Sequence, residues 1–192
     1  MNLELDVYTK EEFKNLSLLQ EDLGYKEFSN CVFVKCDFSQ SKFSGSTFVD
    51  CSFQNCNLSN AKVDNCSFQQ VSFKKCKLMG IIFRKINTLL IDWDFDSCKI
   101  ELCDFNGLDI RSSDFLDCTI RETDFLNANL KESVFSGSDL KTAKFHNTNL
   151  EKVNFVGAKN FAIDPTQNKM KGAKFSYADA VGLLGVFEIE IE

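Results

Sequence analysis

The chain has 192 residues, of which 44% are hydrophobic, and its 28 acidic and 22 basic side chains leave a net charge of −6 at pH 7. The hydrophobic content is too high for a disordered chain, and the length suits one ordinary domain. The acidic balance argues against direct binding of nucleic acid, which needs clustered Lys and Arg, and no apolar run reaches the ~20 residues that span a bilayer.

The first predicted element, residues 1–27, is an N-terminal cap with weak repeats. Large apolar residues stand at every fifth position, at Phe13, Leu18 and Leu23, in the register of a stronger pattern that begins at Phe28. The opening residues MNLELDVYTKEEF lack the basic and apolar regions of a signal peptide, so we expect the protein to be cytoplasmic and to contact no membrane.

The second element, residues 28–159, is a repeat of five residues. A large apolar side chain, called position i here, recurs in 25 units, and 16 of the 20 phenylalanines occupy it. A period of five fits neither a helix nor one strand; it indicates a short extended piece and a corner, wound into a solenoid whose coils pair at about 4.8 Å. In the second half Phe alternates with Ile or Leu, which predicts that opposite walls of the coil carry the same residue type.

The other positions of the repeat support this interpretation. Position i+2 is Gly, Asn or Asp in 13 of the 25 units, and these residues tolerate turn dihedrals. Position i−2 is small, and all nine cysteines occupy it: Cys31, Cys36, Cys51, Cys56, Cys66, Cys76, Cys98, Cys103 and Cys118. Because free Cys buries readily, and because a zinc site needs locally converging ligands, we interpret the cysteines as core rather than as metal ligands or disulfides.

Units such as CDFSQ, SDFLD, TDFLN, ANLKE and TNLEK resemble the pentapeptide repeat family, whose pattern is A(D/N)LXX. The resemblance implies an all-β fold, a right-handed quadrilateral parallel β-helix with about four repeats in each coil. Residues 28–159 would then form just over six coils.

An interruption at residues 84–94, RKINTLLIDWD, breaks the repeat. Twelve residues separate Phe83 from Phe95 where the period requires ten, and Thr88 stands where an apolar residue is expected. Two readings stay open: a packed kink that restores the register, or a protrusion that contacts a partner. The candidate contact residues of the protrusion are Arg84, Lys85, Leu89, Leu90 and Trp93.

The most acidic stretch follows the interruption. Residues 101–124 hold seven carboxylates and two arginines, and four of the aspartates occupy the outward position i−1: Asp104, Asp109, Asp114 and Asp124. On a coil of about 20 residues, Asp104 and Asp124 stack on one wall while Asp114 lies opposite. This stretch is either an ordinary solvated surface or a candidate acidic wall for binding a partner.

The last element, residues 160–192, is predicted to be a C-terminal cap. Ser176 and Asp179 form a capping-box pattern that opens a short helix, and the final FEIEIE alternates like a strand. A solenoid needs such a lid over its last coil. The lid either serves that purpose alone or also carries a dimer interface.

This cap, the chain length and the Phe- and Cys-rich units resemble Qnr-type quinolone-resistance proteins and related immunity proteins against gyrase-targeting toxins. The resemblance implies an acidic, DNA-like rod that binds DNA gyrase or topoisomerase IV, and a homodimer through the C-terminus. The expected dimer contacts are Tyr177, Val181, Leu184, Phe187 and Ile189. The alternative is a scaffold or effector module of the same family that binds another protein.

Catalysis is not expected. The single histidine, His146, occupies the outward position i+1, with no local Cys, Ser or Asp arrangement that would make it a base. No phosphate-binding loop, metalloprotease motif or pair of catalytic carboxylates stands out. We therefore expect no catalytic residue, no cofactor and no metal.

Overall fold

The five-residue period becomes a parallel β-solenoid in the computed structural model, which describes residues 3–190. Each unit forms a strand or bridge of about three residues and then turns a corner, where the residue at i+2 adopts a positive φ, such as 55° at Asn30 and Asn55. The strands, in chain order, are β1 (Val7–Thr9), β2 (Glu12–Lys14), β3 (Glu27–Ser29), β4 (Val32–Val34), β5 (Thr47–Val49), β6 (Ser52–Gln54), β7 (Ser67–Gln69), β8 (Val71–Lys74), β9 (Lys77–Met79), β10 (Trp93–Asp96), β11 (Lys99–Glu101), β12 (Asp114–Leu116) and β13 (Thr119–Arg121).

Pairing between successive coils builds four walls, which we number by their order along the chain. Wall one contains the sheet β1-β3-β5-β7, wall two the sheet β2-β4-β6-β8-β10-β12, and wall three the sheet β9-β11-β13. Wall four is held by isolated parallel bridges, among them Lys42 to Lys62 and Asp104 to Asp124. The predicted parallel β-solenoid is therefore confirmed.

The core consists of columns of position-i side chains, one column for each wall. On wall two the rings of Phe13, Phe33, Phe53, Phe73, Phe95, Phe115, Phe135, Phe155 and Phe175 form one stack, with centroids 4.8 to 5.3 Å apart. On the opposite wall four, Phe83, Phe105 and Phe125 stack in the same way. Walls one and three carry Ile and Leu in this half, so the predicted alternation is confirmed.

All nine cysteines are free and buried, as predicted. Within the described residues, eight of the nine thiols, all but that of Cys66, also donate to backbone carbonyls of the preceding coil: Cys51 Sγ donates to the carbonyl oxygen of Phe28 at 3.4 Å, and Cys98 Sγ to that of Phe73 at 3.2 Å. Serine at the same position does likewise, since Ser46 Oγ donates to the carbonyl oxygen of Leu23 at 2.6 Å. A small side chain with a weak donor is therefore what position i−2 requires.

The interruption shifts the register between coils from 20 to 22 residues. Ser67 still pairs with Asn87, but Val71 pairs with Trp93 and Phe73 with Phe95. The two extra residues therefore lie between Asn87 and Trp93. A 3-10 helix, Phe83–Lys85, precedes them.

Trp93 was named as a candidate contact residue for the case that the interruption protrudes, and for this residue the prediction is wrong. Its side chain is 0% exposed, and its ring centroid lies 5.4 Å from that of Phe83 and 6.2 Å from that of Phe68. Its Nε1 donates to the carbonyl oxygen of Phe68 at 3.0 Å. The reason lies in Thr88, which is exposed and leaves the wall-one column without a ring above Phe68. The indole fills this space from position i−2.

The insertion also disturbs the hydrogen bond of one buried serine. In regular coils a side chain at i−2 donates to the carbonyl 23 residues earlier, as Ser133 does to Ile110. For Ser113 that carbonyl belongs to Leu90, inside the interruption. The Ser113 hydroxyl accordingly has no hydrogen-bond partner among residues 3–190.

The solenoid ladder continues as far as the bridge between Asn154 and Lys174, and the cap follows. The predicted capping box is present: Ser176 Oγ accepts from the Asp179 amide at 3.2 Å and donates to its carboxylate at 2.5 Å. The α-helix Tyr177–Gly182 and the 3-10 helix Leu183–Phe187 complete the cap.

The strand predicted for FEIEIE does not form within residues 187–190, and residues 191–192 lie outside the described part. Phe187 closes the 3-10 helix, and Glu188 adopts a left-handed φ of 52°. The alternating pattern was misleading, because the chain has by then left the coil and runs beside no strand that could pair with it. No helix in the described residues is long and apolar enough to cross a membrane.

Candidate partner-binding surfaces

The outer surface of the rod offers little chemistry. Within residues 3–190, no group of three or more His, Cys, Asp or Glu side chains is placed to hold a metal ion. His146 is exposed at a corner of wall four. Three features stand out on the surface: exposed carboxylates, an exposed leucine pair and the cap.

The four predicted aspartates do not form one acidic wall. Asp104 and Asp124 bridge each other on wall four, Asp109 bridges Asn129 on wall one, and Asp114 lies on β12 of wall two. The reason is the repeat itself, since five residues advance the chain by one wall and only residues one coil apart stack. The expected stacking of Asp104 on Asp124, with Asp114 opposite, is confirmed.

Three of these four aspartates are neutralised by cations of the chain. Asp104 pairs with Arg84 at 2.6 Å, and Asp124 pairs with Lys144 at 3.2 Å. Asp109 forms an ion pair with Arg111, whose Nε donates at 2.9 Å, and the arginine lowers the pKa of Asp109. These carboxylates therefore present little net charge to a partner.

Asp114 belongs to a different group, which we call the wall-two carboxylates: Asp92, Asp94 and Asp114. Asp94 and Asp114 are register partners on β10 and β12. No ion pair to any of the three is found in the described part of the chain. Burial raises the pKa of Asp94, with the charges of Asp114 and Asp92 adding to it, and burial together with Asp92 raises the pKa of Asp114.

Sequence reasoning named Asp114 but missed Asp92 and Asp94. A signal for Asp94 was available, because it stands 20 residues before Asp114 at the same i−1 position. Asp92 lies among the inserted residues, where the period gives no guide.

Of the predicted loop contacts, the two leucines are exposed apolar side chains, whereas the two cations are exposed but ion-paired. Leu89 is 60% exposed and Leu90 is 68% exposed. Arg84 is paired with Asp104, and Lys85 with Asp64 at 3.0 Å. The ends of the interruption are packed or paired, while Leu89 and Leu90 at its centre are exposed at the corner between walls one and two.

The cap presents apolar side chains on its outer side. Tyr177, Leu184, Phe187 and Ile189 are exposed, and Val181 is half-buried. Leu183 instead packs against the core. An open cavity of about 550 Å³ lies between the cap and the last coil, lined by Phe161 and Leu183 among others.

These features define a structural class: a four-walled parallel β-solenoid with a short helical cap. The sequence model of the family described as pentapeptide repeat region matches residues 26–89 and 86–155. The chain therefore belongs to the pentapeptide repeat family.

Solved structures similar to the chain include two of QnrB1, a plasmid-mediated fluoroquinolone resistance protein. One trypsin-treated variant of QnrB1 matches with a TM-score of 0.75 and 18% identity over 97% of each chain. A second trypsin-treated variant matches with a TM-score of 0.65 and 17% identity, over 97% of this chain and 100% of the other. The comparison with curated protein sequences finds no match.

Proposed function

We propose that the protein is a non-enzymatic DNA mimic that binds DNA gyrase or topoisomerase IV and protects it from quinolones or from a gyrase-targeting toxin. The observation that carries the proposal is the fold match to QnrB1 along the whole rod, 97% of each chain. The unpaired wall-two carboxylates support it, because Asp94 and Asp114 present negative charge on two successive coils of that rod.

The charge density decides how far such mimicry reaches. Duplex DNA carries one negative charge per about 1.7 Å of helix axis. Asp94 and Asp114 follow each other at the strand spacing of about 4.8 Å. The rod therefore replaces only a few phosphates, and recognition is local to wall two rather than spread along all four walls.

A supercoiling assay with purified gyrase, with and without a fluoroquinolone, tests the proposal. We expect the protein to restore supercoiling in the presence of the drug, and the double variant Asp94→Asn/Asp114→Asn to restore less. The matched control is Asp104→Asn/Asp124→Asn, which removes two carboxylates that are already paired and should protect like the unmodified protein. If the two double variants protect gyrase equally, the wall-two carboxylates do not carry recognition.

A second candidate function is a scaffold that binds another protein. The internal ion pairs of Asp104, Asp109 and Asp124 favour it, because they remove charge that a DNA mimic would use. If the unmodified protein has no effect on gyrase or on topoisomerase IV, with or without drug, the scaffold function replaces the first.

A further inference from the structure

The corner between walls one and two carries an exposed apolar knob. The knob consists of Leu89 and Leu90, which are 60% and 68% exposed. Leu90 occupies the corner position with a φ of 55°, a region that bulky residues rarely adopt. Other corner residues of this fold share such a φ, among them Leu102, so the conformation alone does not mark a site; what distinguishes the knob is that two adjacent leucines are exposed beside unpaired carboxylates.

Two adjoining depressions flank the knob. One, of about 320 Å³, is lined by Gln69, Gln70, Leu90, Ile91 and Asp92. The other, also about 320 Å³, shares Gln70 and Asp92 with the first and continues to Asp50 at the corner and to Asp94 on wall two. Across these two depressions the surface changes from the apolar Leu90, through the neutral amide of Gln70, to the carboxylates of Asp92 and Asp94.

The carboxylate side of this surface is open to a cation from outside. Asp96, the next acidic residue along β10, is taken by Lys74 at 3.0 Å, whereas no cation of residues 3–190 pairs with Asp92, Asp94 or Asp114. Burial raises the pKa of Asp94, and the charges of Asp114 and Asp92 add to it; an incoming Lys or Arg would relieve the repulsion among the three carboxylates.

We propose that this corner, the Leu89–Leu90 knob together with the wall-two carboxylates, is a docking site for a basic segment of a protein partner that also carries an apolar side chain. The apolar side chain packs against the knob, and Lys or Arg side chains reach Asp92, Asp94 and Asp114. Charge complementarity selects this occupant, since nucleic acid is repelled and the carboxylates do not converge on a single ion.

The inference deepens the proposed protein-binding function by locating the contact and naming the chemistry of the partner segment. It is independent of which topoisomerase, if any, is bound. Its test contains no topoisomerase, so the docking site can fail while the proposed topoisomerase binding holds, and the reverse.

The test uses fluorescein-labelled peptides of about ten residues and the full-length protein, with binding followed by fluorescence anisotropy. The probe alternates Lys and Leu, and two comparison peptides alternate Lys with Ser and Glu with Leu. We expect the Lys/Leu peptide to bind at low salt, the Lys/Ser peptide to bind about tenfold more weakly, and the Glu/Leu peptide not to bind.

Two variants and two matched controls localise the binding. Leu89→Ser/Leu90→Asn and Asp94→Asn/Asp114→Asn should each weaken the Lys/Leu peptide about tenfold. The controls are Asp104→Asn/Asp124→Asn and Leu102→Asn; Leu102 is also exposed, at 55%, with a φ of 55°, at the corner between walls three and four.

The controls should change affinity by less than about twofold. The proposal would be overturned if Leu89→Ser/Leu90→Asn and Leu102→Asn weakened peptide binding equally. It would also be overturned if neither Leu89→Ser/Leu90→Asn nor Asp94→Asn/Asp114→Asn weakened it. Unchanged circular dichroism of all four proteins shows that they fold, so that any loss reports on the surface.

Discussion

Replacing Trp93 tests the finding that the interruption is closed from inside by an indole. Trp93→Ala removes a ring that is 0% exposed and packs against Phe68, Phe83, Phe95 and Phe105. Truncating a buried aromatic residue to Ala costs about 3–5 kcal/mol of unfolding free energy. Loss of the Nε1 hydrogen bond to Phe68 adds about 1 kcal/mol, because the carbonyl oxygen stays buried. We expect a total of about 4–6 kcal/mol.

Urea unfolding followed by far-ultraviolet circular dichroism measures this loss. Trp93→Phe keeps most of the ring but lacks the donor, and should cost only about 1–3 kcal/mol. Leu89→Ala, in the same interruption but exposed, should stay within about 0.5 kcal/mol. A Trp93→Ala loss below about 1 kcal/mol, or one equal to that of Leu89→Ala, would refute the role assigned to the indole.

Four further predictions concern the thiols, two sets of carboxylates and the cap. The nine buried cysteines should resist a thiol reagent in the native protein and all react in denaturant, and rapid native labelling of all nine would contradict the fold. Arg111 lowers the pKa of Asp109, so the ionised Asp109 stabilises the folded protein above its unfolded pKa, and this stabilisation is lost as the pH falls through its folded pKa. Asp109→Asn should therefore lower the urea midpoint slightly at neutral pH. Asp94 and Asp114 have raised pKa values, so their ionisation at neutral pH lowers the stability of the folded state. Their Asn variants should therefore keep or raise the urea midpoint at neutral pH, and the difference from the unmodified protein should fade as the pH falls. A clear destabilisation at neutral pH would contradict this. A chain ending at Lys174 should sediment as a monomer and the full chain as a dimer at micromolar concentration; a monomeric full chain would refute the dimer.

The fold could be predicted from the sequence because every level of the repeat agrees. Large apolar residues at i, small ones at i−2 and turn formers at i+2 admit a single winding, and the stacked rings follow from it. Trp93 could not be placed in this way, because it stands at position i−2 of the Phe95 unit, where the repeat mostly has a small side chain. Its burial depends on the gap that Thr88 leaves one corner earlier, which is visible only in three dimensions.

The candidate surface was predictable only in part. Sequence position placed Asp104 over Asp124 and Asp114 on the opposite wall, but it did not show that Arg84 and Lys144 neutralise the first two. Ion pairs between coils join residues about 20 apart, and which of them form depends on side-chain reach. The acidic density of a segment is therefore a poor guide to the charge that its walls present.

The central claim, that unpaired carboxylates of the rod bind a type II topoisomerase, is tested most directly by titrating purified DNA gyrase against the labelled full-length protein at low and at physiological ionic strength. The account predicts saturable binding whose affinity falls steeply as salt rises, because the attraction joins exposed charges of opposite sign. It also predicts that Asp94→Asn/Asp114→Asn weakens binding mainly through the association rate. No binding at low salt, or an affinity that salt leaves unchanged, would contradict it.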